Sequence, residues 1–124
     1  MTNEGFYFFD SYALIEILEQ NPRYAQYTNM MMITSKLNLF EIFYYLLRIG
    51  KEKEALIVLQ KYYKFTADFD DTIIAQAAYV RYQHKEKKLS MTDCIGYVLA
   101  RQMNIKFLTG DKQFEHFENV EFVR

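Results

Sequence analysis

The sequence predicts a three-layer α/β fold, with a parallel central sheet and helices on both faces. Three observations predict it. Short apolar runs (Phe6-Tyr7-Phe8-Phe9, Met30-Met31-Met32-Ile33 and Lys106-Phe107-Leu108) alternate with longer stretches of helical periodicity, and parallel strands need crossovers of that length. The first two runs end in capping pairs, Asp10-Ser11 and Thr34-Ser35, where a strand feeds a helix. The composition is that of a packed chain: 124 residues, 51% apolar and 25% charged, with four Gly and one Pro. It suits one domain over 1–124 and excludes disordered, collagenous and low-complexity classes.

The elements follow in order. Gly5 to Phe9 supplies large β-formers for a buried strand, and the helix after Asp10-Ser11 stops at Asn21-Pro22. The Met-rich run is the second apolar segment, and a helical pattern then extends to Ile49-Gly50. Lys51 to Tyr63 reads as an amphipathic helix with Ala55, Leu56, Leu59 and Tyr63 on one side. Asp68-Phe69-Asp70-Asp71 opens a helix reaching about Lys88, and Ser90 to Met103 forms the next. Lys106 to Leu108 is a strand, a short helix follows Asp111, and Val120 to Val123 is an edge strand.

Charge and cysteine content narrow the chemistry. Fifteen basic and sixteen acidic residues give a net charge of −1, so no broad positive field holds nucleic acid, and any such affinity rests on local features. One cysteine, Cys94, and two histidines, His84 and His116, exclude disulfide frameworks and Cys- or His-built metal sites. Cys94 itself reads as a small buried side chain. Met1-Thr2-Asn3-Glu4 lacks a signal-peptide n-region. No apolar run approaches the ~20 residues of a membrane helix. The expectation is a soluble, cytoplasmic domain with no membrane partner.

In open parallel sheets, ligands sit beyond the carboxyl ends of the strands, near the point where strand order reverses. Asp10 and Asp111 fall there, and each suits an N-cap or turn as well as a ligand role. Asp93 completes a capping box in Ser90-Met91-Thr92-Asp93, which leaves carboxylate lone pairs free. Glu41 shares a helical stripe with Leu37, Phe40, Tyr44 and Leu47, where an ionised acid needs a partner; Asn38 and Arg48 are the local candidates. Asp68, Asp70 and Asp71 imitate a calcium loop but lack its glycine and distal glutamate, and read as helix-start acids. If the other acids converge, carboxylates ~4 Å apart repel by roughly 4 kcal/mol at an effective dielectric near 20. Such a group protonates in part, separates, or takes up a cation. Oxygen-only ligands favour Mg²⁺ or Mn²⁺, and such an ion equips a site for phosphodiester hydrolysis.

These residues, in this order, resemble the PIN-domain ribonucleases, in particular the prokaryotic group that includes VapC-type toxins. Phe8-Phe9-Asp10-Ser11 is similar to the family's opening strand and first acid, and Asn38-Leu39-Phe40-Glu41 to its second. Leu89 to Ala100 resembles the helix carrying the third acid, Asp93, and Phe107-Leu108-Thr109-Gly110-Asp111 the strand and turn carrying the fourth. Cys94 stands where the family usually has a small residue. The resemblance implies a Rossmann-like fold with a sheet of 4–5 parallel strands. It implies Mg²⁺ or Mn²⁺ held mainly by Asp10 and Asp93, with Glu41 and Asp111 completing the cluster and Ser11 and Thr109 in support. It implies single-stranded RNA as substrate, a homodimer, and a separately encoded antitoxin as partner.

The 11 Phe and 11 Tyr exceed what a small core readily absorbs, so a partner surface is expected beside core packing. Lys85-Glu86-Lys87-Lys88 is the densest basic run, a solvated helix end or an RNA contact; Arg101, Lys106 and Lys112 are expected nearer the site. Two other readings compete. A non-catalytic PIN-like module binding RNA or protein has no need of four mutually repelling acids. A phosphate-accepting receiver domain wants paired acids after its first strand, where Asp10 stands alone.

Overall fold

The computed structural model describes residues 5–124; Met1 to Glu4, with the signal-peptide reading that rests on them, lie outside the described residues. The predicted apolar runs form β1 (Phe6–Phe9), β2 (Met31–Ile33) and β3 (Lys106–Thr109), joined by β4 (Val120–Phe122). They make a four-stranded sheet in the order β2-β1-β3-β4, with all pairs parallel. The chain leaves β1 towards β2 on one side and later returns to β3 on the other. Strand order therefore reverses between β1 and β3, where Phe9 is in register with Leu108. β4 is the expected edge.

The pleat sends successive side chains to opposite faces, and the two hydrophobic clusters obey it. Phe8 and Phe107 pack with α4 (Asp71–Gln83) and α5 (Met91–Gln102). Phe9 and Leu108 pack with α1 (Ser11–Leu18) and α2 (Lys36–Arg48). Ala55 of α3 (Glu52–Tyr62) joins that second cluster. Helices thus cover both faces, as predicted. On the first face the Phe8 and Phe107 rings stack at 5.8 Å, and Phe107 meets Phe114 at 5.0 Å; such pairs add about 0.5–1.5 kcal/mol beyond burial.

Gly96 sets how closely α5 approaches the sheet. A Cβ there would meet the Phe8 ring at 2.7 Å and the Phe107 ring at 3.2 Å. The missing side chain lets the helix lie against β1 and β3, one turn beyond Asp93.

Three expectations need correction. The helix from Asp70 ends at Gln83, with His84 as C-cap, and does not reach Lys88; the charged run Lys85 to Lys88 that follows is exposed, and Leu89 is the next buried side chain. The apolar side assigned to Lys51–Tyr63 is only partly covered, because Ala55 is buried while Leu56 and Tyr63 stay exposed. The segment after Asn21-Pro22 is not merely a helix stop. It is a 3₁₀ helix over Pro22–Asn29, opened by the Asn21 side chain accepting from the Arg23 N–H, and it buries Tyr24 and Tyr27. Among the described residues, no helix is long and apolar enough to cross a membrane.

Candidate active site

Asp10 follows β1 directly and occupies the N-cap position of α1, yet its side chain makes no capping bond. Its backbone N–H instead donates to Leu108 O across the strand-order reversal (3.1 Å). The residue is 2% exposed. Oδ2 accepts from the Thr109 hydroxyl at 2.8 Å, while Oδ1 is buried with no hydrogen-bond partner. Burial pushes this acid up to about 8, and the charge of Asp93 adds to it. Thr109 and the Ser11 backbone N–H oppose the rise, and Glu41 contributes to it. At neutral pH an unaccompanied Asp10 holds its proton.

The other acids come from separate elements, and Asp93 and Glu41 act on Asp10 through their charges. Asp93 opens α5 in the predicted capping box: Ser90 Oγ accepts from the Asp93 N–H, and Asp93 Oδ2 from the Ser90 N–H, both at 3.0 Å. Burial raises the Asp93 carboxyl, Ser90 opposes this, and Asp111 and Glu41 raise it further. These mutual effects join all four acids through one electrostatic neighbourhood. Asp111 does cap, accepting from the Gln113 N–H at 3.0 Å. Thr109 links it to Asp10, because the Thr109 oxygen also accepts from the Asp111 N–H at 3.1 Å.

Glu41 takes neither of its local candidates. Its Oε1 accepts from the Ser11 hydroxyl at 2.6 Å, and the Arg48 guanidinium lies over the Tyr44 ring. The stripe assigned to it is not a buried one: Phe40 is 73% exposed and Tyr44 56%, whereas Asn38, Leu39, Ile42 and Leu46 face inward. Sequence reasoning misses Asn38 as a site residue. It accepts from Ser35 Oγ at 2.6 Å and donates to Ser11 Oγ at 2.9 Å, so a chain of donors, Ser35 to Asn38 to Ser11, ends on Glu41. The only signal for it is a lone asparagine between Leu37 and Leu39.

The remaining polar candidates divide. Asp70 caps α4 through the Ile73 N–H, and Asp68 pairs with Lys36 at 2.8 Å, so the calcium-loop imitation is a helix start. Cys94 is buried. Lys112, directly after Asp111, stands on the acidic side of the sheet. Arg101 and Lys106 are not near the acids. Arg101 lies in the last turn of α5, whose first turn carries Asp93, and Lys106 opens β3, whose far end leads to Asp111. Parallel geometry places both at the opposite edge of the sheet.

As the side chains stand, no three Asp, Glu, His or Cys groups among the described residues form a ready-made ligand set. Asp93 and Asp111 accept from donors in their own turns, while Glu41 and Asp10 accept from Ser11 and Thr109 on other elements. The donor chemistry nevertheless fits a hard divalent cation, because an unpartnered buried carboxylate oxygen lies within the fields of further carboxylates.

The family model for the PIN domain matches residues 7–120. The chain belongs to the PIN-domain family. Its fold is similar to that of several solved proteins. Against Mycobacterium tuberculosis VapC20, a sarcin–ricin-loop-cleaving toxin, the TM-score is 0.77 at 19% identity, covering 95% of this chain and 98% of that one. A toxin–antitoxin complex from Klebsiella pneumoniae gives 0.74 at 18%, covering 93% and 95%. VapBC2 of Rickettsia felis, bound to a DNA fragment from its promoter, gives 0.71 at 16%, covering 95% and 97%. No curated protein sequence is significantly similar to the chain. The Rossmann-like PIN architecture expected from the sequence is therefore the observed one.

Proposed function

We propose that this PIN domain is a Mg²⁺- or Mn²⁺-dependent ribonuclease that hydrolyses single-stranded RNA, and the toxin of a toxin–antitoxin pair. One observation carries the reading: a buried carboxylate oxygen of Asp10 without a partner, beside Asp93 and Glu41. Burying a polar atom unpaired costs free energy, and a cation removes both that cost and the repulsion. The toxin neighbours support the toxin assignment.

Asp10 and Asp93 would hold the ion, with Glu41 and Asp111 completing the set. The bound ion supplies a nucleophilic water and charge stabilisation for the phosphoryl transition state. The protein's own residues do the positioning. Thr109 holds Asp10 Oδ2 so that Oδ1 stays available, and it ties the Asp111 backbone to the same point. Ser90 fixes one oxygen of Asp93, and Ser11, braced by Asn38, fixes one oxygen of Glu41. Each acid thus keeps an oxygen outside its local contact.

An antitoxin is the proposed protein partner, and the chain is proposed to act as a cytoplasmic homodimer. Exposed apolar residues around a groove of about 530 Å³, including Phe40, Tyr44 and Leu47, support a protein partner on α2 and α3. The test is cleavage of single-stranded RNA with Mg²⁺ or Mn²⁺, with EDTA, and by Asp10→Asn and Asp93→Asn. Cleavage that needs the ion and disappears in both folded variants supports the reading. Undiminished cleavage by either variant, or in EDTA, rejects it.

A further inference from the structure

The segment between α4 and α5 carries the densest positive charge of the molecule, and nothing in the acidic site accounts for it. Arg81, Tyr82, Lys85, Lys87, Lys88 and Ser90 line a groove of about 600 Å³. No acidic side chain pairs with Arg81, Lys85, Lys87 or Lys88 among the described residues; the one acid within the run, Glu86, faces His84 at 4.0 Å. The ammonium groups of Lys85 and Lys87 rest over the Tyr82 and Phe117 rings at 5.2 and 6.0 Å. Tyr82 itself is 68% exposed.

The groove is tied to the acids by hydrogen bonds at its α5 end. Gln113 brackets Lys88: its Oε1 accepts from the Lys88 N–H, and its Nε2 donates to the Lys88 carbonyl at 3.2 Å. The Gln113 N–H in turn donates to Asp111. Directly after Lys88, Leu89 is buried, and the Ser90 N–H donates to Asp93. The cationic loop therefore adjoins two of the four acids, Asp111 and Asp93, where it enters α5. Arg101 and Lys106, at the far edge of the sheet, cannot serve the same purpose.

We propose that this groove binds the RNA strand beside the scissile bond, with Arg81, Lys85, Lys87 and Lys88 contacting phosphates and Tyr82 stacking on a base. The proposal rests on the ribonuclease reading for its substrate class. A chain with net charge −1 has no general attraction for a polyanion, so a local cluster must neutralise the phosphates flanking an acidic centre. An exposed aromatic ring within that cluster adds sequence-tolerant stacking.

The test uses the full chain in EDTA, so that a fluorescent single-stranded RNA oligonucleotide is bound without being cut, and reads anisotropy against salt concentration. The triple variant Lys85→Gln/Lys87→Gln/Lys88→Gln is expected to lose about tenfold or more in affinity and to lower the salt slope by about 2, at ~0.7 per phosphate contact. Tyr82→Ala is expected to lose about fivefold with the salt slope unchanged, and Tyr82→Phe to restore binding. Lys51→Gln/Lys53→Gln, at the start of α3, serves as the control. Equal affinity of wild type and triple variant, or an equal loss in the α3 control, overturns the proposal, as does displacement of the RNA by a polyglutamate peptide at lower concentration than by unlabelled RNA. RNA bound through the groove by a chain that never cuts it would reject the ribonuclease reading alone. Ion-dependent cutting with KM unchanged in the triple variant would reject the groove alone.

Discussion

The carboxyl edge of β1 and β3 and the outer face of α2 are each incomplete, in opposite ways. At the sheet edge an acid is buried without a counter-charge: Asp10 is almost inaccessible, its Oδ1 has no partner, and its proton is retained up to about pH 8. On α2, apolar surface is exposed without a cover, at Phe40, Tyr44 and Leu47. The buried acid is expensive to the fold, because an unpaired polar atom has lost its water. The exposed apolar face costs the fold little, because hydrophobic side chains in water forfeit a gain and do not incur a desolvation penalty. A cation would complete the first region and a protein the second.

The largest expected contrast is in catalysis. Asp93→Asn should lower RNA cleavage by at least ~100-fold, in the range of losing a direct transition-state contributor, whereas Phe40→Ser should leave it nearly unchanged in a purified cleavage assay. A comparable loss in both would erase the distinction between the regions.

Stability against pH is the next effect. The folded pKa of Asp10, about 8, lies above its ordinary 3.8, so between these values the native state holds a proton that the unfolded chain lacks. Without a divalent ion, stability attributable to this group falls as pH rises from about 4 to 8. Asp10→Asn removes that dependence and should make the ion-free chain more stable than wild type at pH 8, with a smaller difference at pH 5. Denaturant titrations at pH 5 and pH 8 measure it. Mn²⁺ should raise the melting temperature of the wild type and not of the variant; saturation at a hundredfold excess over Kd is worth about 2.7 kcal/mol. An Asp10→Asn chain no more stable than wild type at pH 8 would contradict the buried-acid account.

Smaller effects sharpen it. Thr109→Val removes the donor to Asp10 and should reduce metal affinity or cleavage by about 10–100-fold, as loss of a ligand-orienting partner does; calorimetric Mn²⁺ titration reads it directly. Smallest of all, Phe40→Ser and Tyr44→Ser should each change unfolding free energy by within about 0.5 kcal/mol. A large destabilisation would mean that this face is core in solution.

Much of the fold is legible in the chain, for identifiable reasons. The strands at Phe6–Phe9 and Lys106–Thr109 announce themselves by local bulk and by the turn and capping residues after them. The capping box at Ser90 and Asp93 is a four-residue pattern whose geometry is local, and it forms as expected. The role of Asp10 is not decidable in the same way, since an aspartate at a helix start is equally a cap. Only the folded chain shows that it makes no capping bond, that Thr109, 99 residues later, takes one of its oxygens, and that the other is left without a partner. Arg101 and Lys106 are misplaced because nearness in sequence to Asp93 and Asp111 ignores direction along a helix and a strand. The apolar neighbours of Glu41 suggest a buried stripe, while the packing of α2 against α1 turns Asn38 inward in its place.

The amino-acid sequence by itself determined the α/β alternation, the strand ends and the presence of four acids on helices and turns, because periodicity and capping are short-range and need no knowledge of the rest of the chain. Only the tertiary structure decided which carboxylate lost its water, which hydroxyl oriented it, and that the cationic loop after α4 borders the acids. Those depend on burial and on contacts between distant segments, and the strand order that brings β1 beside β3 is what creates them.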